Sequence, residues 1–347
     1  MNHIELPEPA HSRVGCIVGC RTWLIKQSLK TTPMNSVQFA IPLILRKPLA
    51  ALFAIVFALP AFGQTTNIPM TIPITAPAGM KPPLMGASIE ASTVFSSEAD
   101  YRNQKRGGSA ASNLALAWNG NLPLSNQWIV PLDLMAQNIS FGELPDTPVP
   151  DSIHPLSLNT GLIYKMSEDL MLMGRFGGTV YRTSEVGAKD IGFSAGLMGM
   201  WRYSPALTYV FGLMVNPDSD HRAFPMIGVN WDINEQLNLS LTLPRPRLTY
   251  RPNKDWSFHV GANINGATFR TSETMGTKLG DTRYNGVLGS YRDIRVGAGL
   301  GHSFTPSLSV EAEAGISVNR EINYQQIREN VRFGPAPYLS LGLKFGF

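Results

Sequence analysis

The sequence predicts an all-β fold, a single transmembrane antiparallel up-and-down β-barrel of about 14 strands. From residue 84 onward, apolar and polar side chains alternate in segments of about ten residues. About ten residues is the length that a tilted strand needs to cross a bilayer. Short turns alternate with longer polar loops along the same part of the chain. Charged residues make up 16% of the chain, below the roughly 25% of soluble globular proteins. A barrel with a lipid-facing outer surface accounts for all three observations.

The first 83 residues are predicted to lie outside the barrel. Residues 1–33 are interpreted as an over-extended N-terminus, because Met34 is a better start for the segment that follows. Residues 34–63 are a predicted signal peptide, in which a basic pair precedes an apolar run that ends in small residues at a cleavage spacing. Residues 64–83 are a Pro/Thr-rich periplasmic lead-in, since repeated proline disfavours helix and central strand. The barrel itself is predicted to occupy residues 84–347.

Charge and cysteine content narrow the function classes. Cys16 and Cys20 both lie in the predicted leader, so the mature chain has no disulfide and no thiolate metal site. Residues 1–63 hold six of the 29 basic and two of the 25 acidic residues, which leaves 23 of each in the mature chain. A net charge near zero predicts no nucleic-acid partner.

The strand count depends on one weak region. Apolar side chains recur at every second residue within successive segments from Ile89 to the C-terminus. These segments give 14 strands if the short ones on both sides of residues 243–247 form a hairpin. If they form one bent strand, a barrel of 12 strands is possible. Short turns at 167–169, 204–206, 234–236, 251–255 and 305–307 alternate with longer loops at 142–155, 182–190, 217–223, 270–287 and 319–335. This alternation predicts periplasmic turns and outer loops.

Two sets of side chains define the predicted faces of the barrel. The charges predicted to face the lumen either brace the barrel as ion pairs, which is favoured for most of them, or form a transverse field across a pore. These lumen charges are Glu90, Asp133, Lys165, Arg175, Arg202, Asp232, His259, Asp293, Arg295, Glu311, Glu313 and Lys344. The tryptophans predicted to form an aromatic girdle at the periplasmic membrane interface are Trp118, Trp128, Trp201, Trp231 and Trp256.

The C-terminal strand carries a polar residue, a glycine and two aromatics at alternate positions: Ser340, Gly342, Phe345 and Phe347. This pattern resembles the C-terminal signal of Gram-negative outer-membrane β-barrels, which the barrel-assembly machinery reads. The segments L-P-R-P-R-L-T-Y-R-P-N-K-D at 243–255 and Y-R-D-I-R-V-G-A-G-L at 291–300 resemble an uncharacterised family of such barrels. The resemblance implies a barrel in the cell outer membrane, with lipid and the assembly machinery as partners. It implies no substrate and no functional residue.

No catalytic, cofactor or metal site is predicted, and the protein is not expected to be an enzyme. His221 lies beside Asp218 and Asp220, but nothing in the sequence completes an acid–base site around it. The sequence predicts a passive or weakly selective pore for small solutes. The alternative is a closed barrel with a structural or surface-interaction role through its outer loops.

Overall fold

A computed structural model describes residues 84–181, 187–219 and 222–346, and these residues form a closed antiparallel β-barrel of 14 strands. The predicted leader, signal peptide and lead-in lie outside the described residues, as does Phe347. Because the barrel has 14 strands, the alternative of a 12-stranded barrel is wrong.

The strands follow one another around the wall in chain order. Their bounds are β1 Met85–Tyr101, β2 Gln104–Pro123, β3 Trp128–Phe141, β4 Ser152–Ile153, β5 Leu156–Lys165, β6 Leu170–Val180, β7 Ile191–Ser204, β8 Leu207–Val215, β9 Ala223–Asp232, β10 Leu237–Ser240, β11 Arg247–Tyr250, β12 Trp256–Arg270, β13 Leu288–Thr305, β14 Leu308–Tyr324, β15 Glu329–Phe333 and β16 Ala336–Gly346. The barrel closes because β1 pairs with β2 on one side and with β16 on the other.

Two of these sixteen segments add no new position to the wall. The two-residue β4 pairs only with the outer end of β3. Both β15 and β16 pair with β14 on one side and β1 on the other. β15 therefore occupies the same position in the wall as β16, nearer the outer end. Residues 319–335, predicted as an outer loop, are therefore largely a hairpin that lengthens the wall. The outer loop at 270–287 contains one short helix, α1 Met275–Leu279. Among the described residues, no helix is long and apolar enough to span a bilayer.

The two faces of the wall differ in the way that the period of two predicts. Large apolar side chains on the outer face are exposed, among them Leu158 at 52% and Leu197 at 65%. Polar and charged side chains on the inner face are buried, among them Asp293 at 0% and Arg295 at 3%. This distribution is the reverse of that in a soluble protein, in which apolar side chains form the core.

The hairpin of β10 and β11 differs from the prediction. The sequence alternates apolar residues as far as Leu243, yet β10 ends at Ser240 and β11 begins only at Arg247. The connection of residues 241–246 therefore turns back closer to the inner end of the barrel than predicted. Backbone hydrogen bonds hold it there, from the N–H of Leu241 to the carbonyl of Val229 and from the N–H of Ile264 to the carbonyl of Pro244. The Pro-Arg-Pro-Arg segment thus belongs to the wall and the lumen.

Candidate functional site in the lumen

One half of the lumen wall carries a network of ion pairs. Arg245, in the β10–β11 connection, reaches across the lumen to the carboxylate of Glu90 on β1, with a distance of 3.1 Å between Nη2 and Oε2. The same guanidinium donates from Nε to the amide oxygen of Asn263 at 3.2 Å. Glu311 on β14 accepts from Arg247 at 3.0 Å and from Lys344 on β16 at 2.6 Å. The pairs Arg245–Glu90 and Arg247–Glu311 connect parts of the wall that are not neighbours, whereas Lys344 lies on the strand next to that of Glu311.

His259 joins this network next to Glu313. Its Nε2 lies 2.9 Å from Oε2 of Glu313 and 3.7 Å from Oε1 of Glu311, while the hydroxyl of Tyr338 donates to Glu313 at 2.5 Å. The ligand atoms of the histidine and the two glutamates lie within 4.8 Å of one another, a spacing that a metal ion could bridge. However, Arg247 and Lys344 already balance the two carboxylates. A divalent cation would have to displace them, so the arrangement favours a hydrogen-bonded brace.

A second group of buried charges lies nearer the outer end of the same wall. Asp293 and Arg295, two residues apart on β13, form an ion pair at 2.6 Å. Arg295 also donates to the hydroxyl of Ser92 on β1 at 3.0 Å, and Ser317 on β14 donates to Asp293 at 2.6 Å. Arg320 donates to the carbonyl of Ser109 on β2 at 2.6 Å. Buried charges are tolerated when they are paired and hydrogen-bonded, as Asp293 and Arg295 are.

The opposite half of the lumen wall is mostly apolar. Its inward side chains on β5 to β9 pack into one buried cluster, here called the methionine wall: Ile163, Met173, Met198, Met200, Val210, Met214 and Met226, with Ile129, Met171 and Phe224 against it. The same half also holds the buried ion pair between Arg175 on β6 and Asp133 on β3, and buried amides such as Asn159 and Asn230. Methionine is unbranched and polarisable, and it adapts to irregular apolar surfaces. The lumen therefore has one charged wall and one soft apolar wall.

The outer end of the barrel carries a cluster of packed side chains, here called the mouth cluster, from β1 to β4, β12 to β15 and the loop between β12 and β13. The ring centroids of Phe141 on β3 and Tyr291 on β13 are 5.1 Å apart, although these strands are not neighbours in the wall. The hydroxyls of Tyr101 on β1 and Tyr284 in the loop after β12 are 2.9 Å apart. The cluster consists of Ala99, Tyr101, Ala111, Ile139, Phe141, Ile153, Ala267, Phe269, Tyr284, Val287, Tyr291, Ile322, Tyr324, Val331 and Phe333.

Ion pairs at the outer surface hold the loop at 271–287 over this cluster. Arg102, in the β1–β2 turn, bonds to Glu329 at 2.8 Å and to Asp281 at 3.3 Å. Hydrogen bonds from Arg283 lower the pKa of Asp281 to about 2, and hydrogen bonds from Arg102 lower the pKa of Glu329. On the other side of the mouth, Arg270 donates to the carbonyl oxygen of Lys189 at 2.7 Å. The loop at 271–287 and the strand end before it thus contact the β1–β2 turn and the segment before β7 at the outer end.

All twelve charges predicted for the lumen lie on the inward-facing register of their strands. Nine take part in the ion pairs described above. Lys165, Arg202 and Asp232 lie at the inner ends of β5, β7 and β9, and no ion pair involves them within the described part of the chain. Sequence reasoning missed Arg245 and Arg247. The Pro-Arg-Pro-Arg segment was the available signal for them. If so short a connection lies in the barrel wall, its two arginines need acidic partners.

The girdle tryptophans lie at or near the ends of strands, next to the short turns. Trp128 stacks on Tyr164 with ring centroids 4.4 Å apart, and Trp201 lies 5.9 Å from Tyr209. The ring centroids of Trp256 and His302 are 4.3 Å apart. Each of these contacts joins neighbouring strands on the outer face. Their position in a membrane interface remains a prediction.

The remaining predicted residues divide between the two faces of β16 and the outer loops. Ser340 faces inward and donates to Glu90 at 3.4 Å, while Phe345 faces outward and is exposed. The reading of these residues as an assembly signal remains a prediction, as Phe347 is outside the described residues. His221 and Asp220 are also outside them, whereas Asp218 accepts a hydrogen bond from Tyr181 at 2.8 Å.

Several solved outer-membrane proteins are similar to this chain. An outer-membrane channel from Pseudomonas putida F1 has 10% sequence identity and a TM-score of 0.43, over 79% of this chain and 100% of that one. A Pseudomonas aeruginosa FadL homologue has 10% identity and a TM-score of 0.36, over 78% and 91% of the two chains. The NanC porin has 10% identity and a TM-score of 0.33, over 75% and 100%.

Among curated proteins, none matches the sequence. A family model, described as a domain of unknown function, DUF6268, matches residues 85–346, which is the whole described barrel except Leu84. The chain belongs to the DUF6268 family.

Proposed function

We propose that this protein is an outer-membrane channel that lets small solutes cross through its lumen. The observation that carries the proposal is the inverted distribution of side chains in a closed barrel. Apolar residues such as Leu158 and Phe211 are exposed on the outer face, while charges such as Asp293 and Arg295 are buried inside. A closed barrel leaves no unpaired strand edge around most of its circumference, which is what a spanning β-structure requires.

The lumen should discriminate little between anions and cations. On the charged wall, the carboxylates of Glu90, Asp293, Glu311 and Glu313 each contact a cationic or neutral donor, and the arginines and lysine that contact them balance their charge. Paired charges produce little net field along the axis, so anions and cations should be treated alike. The methionine wall on the other side adds an apolar surface. We therefore favour neutral or weakly charged solutes.

The closed outer mouth favours a second candidate, a barrel with a structural or surface role. The mouth cluster and the ion pairs of Arg102 occupy the outer end in this conformation. If these contacts never open, the outer loops are the working surface. If they open transiently, the barrel is a gated channel. The two candidates differ in conductance.

Single-channel recording in a planar bilayer separates them. We expect the wild-type protein to open rarely, and the Tyr101→Ala, Tyr284→Ala double variant to spend at least several-fold more time open, because it loses the hydroxyl contact and two rings of the mouth cluster. The control is Tyr250→Ala, which removes an exposed tyrosine from the outer face and should not change the conductance. Absence of conductance in both the wild type and the double variant would refute the channel and favour the closed barrel.

A further inference from the structure

We propose that the barrel wall has a lateral window between β9 and β12, through which small apolar solutes pass between the outer half of the bilayer and the lumen. This inference rests on the proposed channel function and names the class of solute. It starts from the shortness of β10 and β11, which span four residues each, whereas β9 and β12 span ten and fifteen.

Described residues frame the window on four sides. β9 pairs with β10 at residues 230–232 and accepts one further backbone bond at Val229. β12 pairs with β11 at residues 258–261, and Ala262 and Ile264 donate to the β10–β11 connection. The lower edge is the β10–β11 connection, where Leu243 packs on Ala262 and Ile264. The upper edge is the contact between Arg270 and the carbonyl of Lys189. Between these edges, no backbone pairing joins residues 223–228 of β9 to residues 265–270 of β12 within the described chain. Two strand positions, each about 4.8 Å wide, are missing there.

The edge of β9 that faces the window has the features of a strand that borders an opening. Val229 accepts a hydrogen bond on this side, and the backbone groups of every second residue point the same way, so those of Ile227 and Pro225 also face the window. Proline is found where a strand edge has no partner, because it has no N–H to donate. Ile227 is 82% exposed, the highest value among the large apolar side chains described. Open strand edges are tolerated at membrane depth only where they line a cavity or are covered by protein.

The surface behind the window is apolar. Met226 lies between Pro225 and Ile227 on β9, faces inward and belongs to the methionine wall. Phe224 packs on the same wall, and Met214 on β8 extends it. A solute that entered from the bilayer would therefore move from lipid to an adaptable thioether surface without first contacting the charged wall. Because the mouth cluster packs large side chains at the outer end of the axial route, this path suits small apolar molecules that partition into the membrane.

Cysteine labelling in phosphatidylcholine vesicles tests the window. The full chain carries Cys16→Ser and Cys20→Ser, and the reagent is N-dodecylmaleimide, whose alkyl tail keeps it in the bilayer. Met226→Cys should react at least tenfold faster than Ser92→Cys. The two positions are matched, since both face inward and are 5% and 7% exposed, but Ser92 lies on the charged wall away from the window. Ile227→Cys, on the lipid side, gives the upper limit of the rate.

Equal rates at Met226→Cys and Ser92→Cys would overturn the window. If Met226→Cys does not fold, Met214→Cys replaces it with the same expectation. The solute class is tested by adding 1-octanol, which should slow labelling of Met226→Cys at least threefold and leave Ile227→Cys unchanged. Equal slowing at both, or at neither, would overturn the apolar class.

Conductance of the same preparations distinguishes this inference from the proposed function. Conductance without the labelling difference refutes the window and keeps the channel. A labelling difference without conductance in any variant keeps the window, as the entrance to a binding cavity, and refutes the channel.

Discussion

An arginine in place of Ala314 tests whether the outer face of β14 lies in lipid. Ala314 is directly opposite Ala298 and Leu339 on the neighbouring strands, all on the outer face. It lies six residues from Leu308, where the strand begins after the short turn. At about 3.3 Å per residue and a tilt of about 40°, this places it about 15 Å above the turn, near the middle of an apolar band of about 25 Å.

Arginine at this depth should destabilise the folded barrel by about 2–4 kcal/mol, against about 0–1 kcal/mol near an interface. The ratio of folded to unfolded protein should then fall by about 30- to 900-fold for Ala314→Arg. Leu308→Arg is the matched control, because it lies on the same face of the same strand at the interface. Urea titration of both variants in vesicles, read from the different gel mobilities of folded and unfolded barrel, measures the two free energies of unfolding.

Equal destabilisation by the two arginines would refute the depth argument. It would mean that the outer face of β14 experiences a uniform environment, such as water or a protein partner along its whole length. The assignment of this face to lipid would then fail, and with it the membrane location in the proposed function.

Three further predictions concern the charged groups. Arg175→Ala removes the partner of a buried carboxylate, so the free energy of unfolding in urea should fall by about 3–5 kcal/mol; Lys105→Ala, from an exposed pair, should leave it nearly unchanged. Glu313→Arg should destabilise the barrel more than Glu313→Gln in the same titration, since it places a second cation beside Arg247 and loses the bonds of His259 and Tyr338; equal effects would show that this carboxylate is solvated. The folded pKa of Asp281, about 2, lies below the usual 3.8, so its contribution is present above pH 4 and is lost as the pH falls through 2. Proteolysis of the loop at 271–287 by an acid-active protease should therefore accelerate between pH 4 and pH 2, and an unchanged rate would argue against the ion pairs as its anchor.

The sequence by itself determined the class of fold and the face of most strand residues, and it narrowed the number of strands to 14 or 12. These properties are local, because a strand alternates sides at every residue and its length must match the bilayer. The inward register of Glu311 and the outward register of Leu339 follow from that alternation, and both are observed. The positions of the short turns follow from turn-forming residues in the same local way.

Only the tertiary structure decided which inward side chains meet and how the outer end closes. The alternating pattern treats Glu313 as a water-facing position, whereas the closed wall brings Tyr338, His259 and Arg247 onto its carboxylate. The pattern likewise extends β10 to Leu243, but hydrogen bonds to Val229 and from Ile264 end the hairpin early and leave the window above it. Contacts across a lumen depend on the closure and bending of the whole sheet, and residues far apart in the chain share no periodic signal that would reveal them.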